Sequence, residues 1–283
     1  MRRVTAVRNL VKAWLLALGL IGVFALAGWG LGGVRLLSIF VFCALLLAGG
    51  AYWMFDRVVL GMTGARELPI AEAPLLHSTV ERLAALAGIV KPRVYLIPDG
   101  LPRALATGRS RTSSSLAVSA GCVSACTPAE LEGVLAHELA HIRLHDVQVQ
   151  TAVAVLAAAT LEASRIGGML QKALLFVLGP VAAACVHLLV SPKREFEADR
   201  FAAQLCGSPH GLADALVRLE QAAELVEFQG SPATEPLFTI NPFMERGLAA
   251  LFVTHPPVAD RVRRLRDLDP AWREKLRGGE AAA

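Results

Sequence analysis

Residues 134–146 read VLAHELAHIRLHD. His137 and His141 stand four apart, with Glu138 directly after the first histidine. On a helix, side chains four apart share one face because a turn takes about 3.6 residues. The two imidazoles can therefore offer nitrogens to one divalent ion, and neutral imidazole suits zinc. Glu138 lies about 100° further round the helix. That position is poor for a third ligand and good for touching a water held by the metal, which is why the chemistry wants HExxH rather than HxxxH. The competing reading is a surface helix with two solvated histidines. The small apolar neighbours Ala136, Leu139 and Ala140 argue for a pocket wall instead. His145 continues the face, but three histidines at this spacing span roughly 12 Å of axis. It reads as a surface residue, and Asp146 as the end of the helix or the support of a neighbour.

The flanking sequence builds outward from that helix. TPAE at 127–130 predicts its start: Thr127 as N-cap, Pro128 at the first position, and Glu130 reaching back in a capping box. Upstream, 74–89 has helical periodicity, and RVYLIP at 93–98 reads as a strand. ALATGRS and SLAVSAG read as two more strands around the polar turn RSRTSSS. Downstream, KREFEADRFAAQL and GLADALVRLEQAAELVEF read as helices. A Pro- and Gly-rich loop follows, then a proline turn into the basic helix of THPPVADRVRRLRDL.

The 283 residues are 54% hydrophobic and only 18% charged, against about 25% charged in an ordinary soluble domain; the mean hydropathy is +0.51. The apolar excess sits in runs. Residues 13–34 and 36–55 carry no charge, and each is long enough to cross a ~30 Å hydrocarbon core as a helix. Runs 147–161 and 173–192 are also uncharged, separated by Glu162, Arg165 and Lys172. The metal-binding residues must meet on one side of a bilayer, so the chain between them crosses an even number of times. Zero crossings or two satisfy this; two give four spans in all, and the competing reading of 147–161 is a buried core helix. Arg2, Arg3, Arg8 and Lys12 precede the first run and place the N-terminus in the cytoplasm. Basic residues cluster at the ends without interleaved aromatics, which excludes a nucleic-acid partner. The five cysteines form no disulfide framework and read as small buried hydrophobes.

A catalytic zinc takes three protein ligands and keeps a water position open. Glu162, Glu195, Glu197, Asp199 and His255 are the candidates for the third. Glu195 and Asp199 are four apart and share a helical face, whereas Glu197 points nearly opposite. A glutamate ligand with an aspartate one turn on, able to hydrogen-bond a ligand histidine, meets the support that a zinc ligand needs.

VLAHELAHIRLHD, SPKREFEADRFAA and LFVTHPPVADRVRRL, in that order, resemble the HtpX-type membrane zinc metallopeptidases, relatives of the CAAX prenyl endopeptidases. YLIPDGLPRALATGRS followed by SLAVSAG resembles the segment before that family's catalytic helix. The resemblance implies one Zn2+ per chain, with His137, His141 and Glu195 as ligands, Glu138 as general base and Asp199 as the supporting carboxylate. It places His255 near the transition-state oxyanion and Arg261 in the same motif. An extended substrate would pair along Ala104, Leu105 and Ala106, with Arg261 as a further contact. The chain departs from the family pattern at Ser191-Pro192, where Ser-Arg is usual. It departs again at Arg103-Ala104-Leu105, where Asn-Ala-Phe is usual.

The expected fold is mainly α, of the α+β class: membrane helices plus a gluzincin-like metalloprotease domain with a small β-sheet. A transmembrane hairpin occupies 1–57. The protease domain fills 58–283, interrupted by an apolar helical hairpin at 147–191. The expected activity is zinc-dependent peptide-bond hydrolysis in the plasma (inner) membrane, with the catalytic domain cytoplasmic. The expected partners are the lipid bilayer and misfolded or damaged membrane proteins as substrates. The rival readings are a prenyl-protein protease and a non-catalytic membrane scaffold or chaperone with a structural zinc site.

Overall fold

The structure, a computed structural model, describes residues 2–151, 154, 168, 192–225 and 256–269. Its helices are α1 (Arg2–Met62), α2 (Pro74–Ala87), α3 (Ala120–Ala125), α4 (Pro128–Leu144), α5 (Pro192–Cys206), α6 (His210–Leu225) and α7 (Val258–Arg266). Its strands are β1 (Arg66–Glu67), β2 (Arg93–Ile97), β3 (Ala104–Ser110) and β4 (Ser113–Ser119). The chain is mainly helical around a small mixed sheet, as the sequence predicts.

The histidine helix α4 begins as its sequence dictates. The Thr127 side chain accepts from the Glu130 backbone N–H, and the Glu130 carboxylate accepts from the Thr127 N–H at 2.8 Å. Two of the N–H groups that open any helix are thereby satisfied. At the other end His145 adopts φ 63° and ψ 28°, and its N–H returns to the last carbonyls. A left-handed residue there stops the helix, so His145 does not continue the face. Val134, Leu135, Leu139, Ala140 and Ile142 are all buried. A helix that is apolar all round is a core helix, and α4 packs against α2, α5, α6 and the sheet.

The sheet order is β1-β2-β4-β3. β2 and β4 are parallel, while β1–β2 and β3–β4 are antiparallel. The chain thus leaves β2, forms the outer strand β3 and returns between them as β4. Alternation sorts the strand residues onto two faces. Val94, Ala104, Ala106, Leu116 and Val118 join the core formed with α4 and the other helices. Ile97, Leu105 and Ala117 join Val59 and Leu60 of α1 with Ala154. Both faces are covered, so β3 is not the exposed strand expected from sequence; residues 104–108 are buried.

α1 changes direction at Gly32 and Gly33, whose backbones are non-helical. A Cβ placed on Gly28 would stand 2.9 Å from the Phe40 Cβ, a contact that a straight helix forbids over that separation. The turn falls at the two glycines rather than at Arg35, because only glycine enters a φ of 62° without cost. Among the described residues, no helix is long and apolar enough to cross a membrane. The expected membrane helices are therefore not a feature of this structure, and most of 147–191 lies outside the described residues.

α4 and α6 meet backbone to backbone. A Cβ on Gly211 would stand 2.3 Å from the Ala129 carbonyl oxygen, and one on Gly133 would stand 2.6 Å from the Leu212 nitrogen. Backbone cannot step aside as a flexible side chain can. Gly211→Ala should lower stability by about 1–3 kcal/mol, whereas Gly100→Ala, whose Cβ meets nothing within 4 Å, should leave the thermal midpoint unchanged. Equal midpoints for the two variants would contradict the close approach.

Candidate metal centre

α4 carries His137, Glu138 and His141 into the interior, where they are at most 3% exposed. α5 crosses α4 and delivers Glu195, which is 1% exposed, from its first turn. The two imidazole Nε2 atoms are 3.1 Å apart. Glu195 Oε2 lies 3.5 Å from His137 Nε2, and Glu195 Oε1 lies 3.5 Å from His141 Nε2. Four ligands at ~2.0–2.1 Å from a tetrahedral zinc stand about 3.3 Å from one another. The three donors therefore occupy the corners that such an ion demands, and two imidazoles with one carboxylate are a donor set that zinc accepts.

Both rings are held from behind. His137 Nδ1 donates to Asp199 Oδ1 at 2.9 Å, which turns Nε2 towards Glu195. Arg261 grips Asp199 with two bonds, Nε to Oδ2 at 2.9 Å and Nη2 to Oδ1 at 2.7 Å. His141 Nδ1 donates to Asp146 Oδ2 at 3.2 Å, and Asp146 is bound in turn by Arg194. Each ring is thus fixed in the tautomer that points Nε2 at a shared ion.

The charges are balanced by the same contacts. Burial pushes His137 towards its neutral form, but Asp199 and Glu195 outweigh it, and its pKa is pushed up to about 9. Burial alone would raise Asp199. Arg261 and His137 reverse that and hold it below the ordinary carboxylate range. Arg261 is buried as well, and Asp199 and Glu195 keep its guanidinium charged.

The structure brings together His137, Glu138, His141, Glu195 and Asp199, and it leaves Glu197 exposed on the opposite face of α5. His255 and Glu162 lie outside the described residues. Arg261 requires a correction: it is 1% exposed and bound behind Asp199, so it does not present itself to a substrate. The basic helix α7 is amphipathic, and position 261 falls on its buried face with Val258, Val262 and Leu265. Arg194 was not legible at all. It sits beside a ligand rather than a helical turn from one, so no spacing marks it.

β3 turns some of its backbone outward. Arg103 C=O accepts from Ser119 N–H, and alternation then points the polar groups of Ala104, Ala106 and Gly108 away from β4. The Gly108 N–H meets Thr151 Oγ1 at 3.4 Å, and Gln148 donates to the Arg109 carbonyl. The outer edge is therefore already engaged at Gly108 and Arg109. The Cys122 and Cys126 sulfurs approach to 3.8 Å, and both cysteines are free.

Residues 71–269 match Peptidase family M48. The chain belongs to that family. It is 38% identical over 278 residues to a Protease HtpX homolog of Persephonella marina, covering 91% of this chain and 96% of the relative. It is also 38% identical to a Protease HtpX homolog of Pyrococcus furiosus, covering 91% and 95%. The crystal structure of S. mikatae Ste24p superposes with a TM-score of 0.50 at 18% identity, over 92% of this chain and 66% of that one. That likeness concerns the fold alone. Membership makes the chain a membrane zinc metalloprotease of the M48 type, and the family's zinc dependence has a matching cluster in His137, His141 and Glu195.

Because His137 keeps its proton up to a pH of about 9 in the metal-free chain, an ion entering at pH 7.5 must expel it. Apparent zinc affinity should then rise by about tenfold per pH unit below that value. Titration calorimetry in buffers of different ionisation enthalpy should read one proton released per ion. A binding heat independent of the buffer would contradict a protonated His137.

Proposed function

We propose that this chain is an endopeptidase in which His137, His141 and Glu195 hold one zinc ion and Glu138 handles the proton. The observation that carries this reading is the tetrahedral spacing of three buried donors beside a fourth buried acid, Glu138, on the same helix. When bound, the ion would supply Lewis acidity, polarising the scissile carbonyl and acidifying water. Glu138 takes the proton of the attacking water and returns it to the leaving amine. Asp199 and Asp146 keep the two rings from turning during that cycle. Asp199, clamped by Arg261, keeps an acceptor against His137. His255 is assigned to the developing oxyanion by resemblance.

The extended substrate is assigned to the outer edge of β3, whose residues 104–106 are buried and would have to be uncovered for it to enter. Ala106, whose polar groups point away from β4, pairs with its main chain, a mode that tolerates many sequences. Leu105 makes no such contact, since its side chain packs with Val59 and Leu60 and its backbone faces β4. Broad main-chain recognition suits the removal of misfolded or damaged membrane proteins. The membrane is the plasma (inner) membrane, crossed four times, with the N-terminus and the catalytic domain in the cytoplasm. The family membership and the uncharged runs support this topology. The prenyl-protein reading has only a likeness of fold behind it. A scaffold with a structural ion would need a fourth protein ligand, and among the described residues the cluster has three.

Glu138→Gln should bind one zinc per chain and lose casein cleavage by about 10²–10⁴-fold, whereas His141→Ala should lose both. Wild-type cleavage rates for Glu138→Gln would remove the base from the mechanism. For the topology, single cysteines at Gly168 and Gly207 in a background with all five native cysteines replaced should react with an impermeant reagent from opposite faces of the membrane. Reaction of both from the same face would leave only the N-terminal hairpin as spans.

A further inference from the structure

Two imidazole–carboxylate–guanidinium chains meet at the metal centre. In the first, His137–Asp199–Arg261, helical spacing from Glu195 marks Asp199 alone. In the second, His141–Asp146–Arg194, no spacing marks the guanidinium. Asp146 is 2% exposed and Arg194 8%. The guanidinium reaches Asp146 Oδ1 through Nε at 2.7 Å and through Nη2. That leaves Oδ2 turned to His141 Nδ1 at 3.2 Å. Without Arg194, Oδ1 would lose the two bonds that set the angle of the carboxylate, and Oδ2 would no longer be held against the ring of His141. A freed imidazole can rotate and present its other face to the ion.

The placement of the pair in the chain adds a second constraint. Asp146 is the last residue before the apolar stretch 147–191, and Arg194 follows that stretch almost at once, directly before Glu195. The same bond that orients His141 therefore joins the entry and exit of the stretch and sets Glu195 opposite the two histidines. Resting on the ligand set of the previous subsection, we propose that Asp146 and Arg194 are positioning residues for the metal. Arg194 acts through Asp146 on the ring of His141, so that the pairing of Asp146 with Arg194 and the assembly of the zinc site are one event.

The test uses the full chain in detergent, loaded with zinc or cobalt, and reads affinity by chelator competition and the visible cobalt spectrum. Arg194→Met should weaken zinc by roughly 10–100-fold and shift the cobalt bands. Arg194→Lys, which restores the charge, should recover part of the loss. Asp146→Asn should weaken zinc to a similar degree, and adding Arg194→Met to it should cost no more, since both changes break one chain of contacts. Leu216→Ala, a core truncation on α6, which carries no ligand, should lower thermal stability and leave affinity and spectrum unchanged. The proposal is overturned if Arg194→Met binds zinc as the wild type does. It is also overturned if its loss merely matches that of Leu216→Ala, or if the two losses add in the double variant. A wild-type chain that binds no zinc overturns the ligand set itself, and the clamp with it.

Discussion

A guanidinium with essentially no exposed surface, that of Arg261, lies behind the ligand cluster, and the arrangement depends on it. Glu138, Glu195 and Asp199 are all buried within reach of its charge. Carboxylates removed from water repel one another and either protonate or find cations. Arg261 binds Asp199 with two bonds and stands 3.7 Å from Glu195 Oε2. It keeps Asp199 ionised, Asp199 keeps His137 turned, and the turned ring faces Glu195. Breaking a buried pair of this kind is far more harmful than never having built it.

The rest of the fold holds the pieces in that relation. α4 has no face to spare: α6 lies against its first turns through Gly133 and Gly211, α5 crosses it with Glu195, and the sheet covers another side. The capping box fixes where α4 starts, and a second tie crosses from α6, since Arg218 binds both oxygens of Glu130. α7 is short, yet it closes the arrangement by carrying Arg261 inward while Arg263 reaches Asp260 at the surface. The sheet is thin but buried on both sides, and it presents the outer strand β3 beside the helix that bears the histidines.

Much of this was legible before any coordinates. Thr127 and Glu130 announce a helix start because capping is local chemistry with a fixed offset. His137, Glu138 and His141 were legible because helical periodicity converts spacing into a shared face, whereas Glu195 and Asp199 stood among several candidates until the family resemblance singled them out. What depended on contacts between distant segments was not. β1 is two residues long and exists only because β2 lies beside it. The burial of β3 comes from α1 and from the segment after Asp146, which no local pattern around ALATGRS reveals. Arg261 reads as one more charge in a basic helix until α7 is docked, and Arg194 reads as part of a charged helix start. Arg35 is the charge that separates the first two apolar runs, but α1 reverses two to three residues earlier, at Gly32 and Gly33, where the backbone is freest.

The donors lie far apart along the chain, and synthesis delivers them in order. His137 and His141 are made first, with Glu138 already between them. Glu195 and Asp199 come only after the whole apolar stretch, and Arg261 later still. A partly made chain therefore holds two imidazoles and no carboxylate to complete their grip on an ion. Hydrolytic power is thus withheld from the nascent polypeptide, by the order of its own residues, until Glu195 has been made.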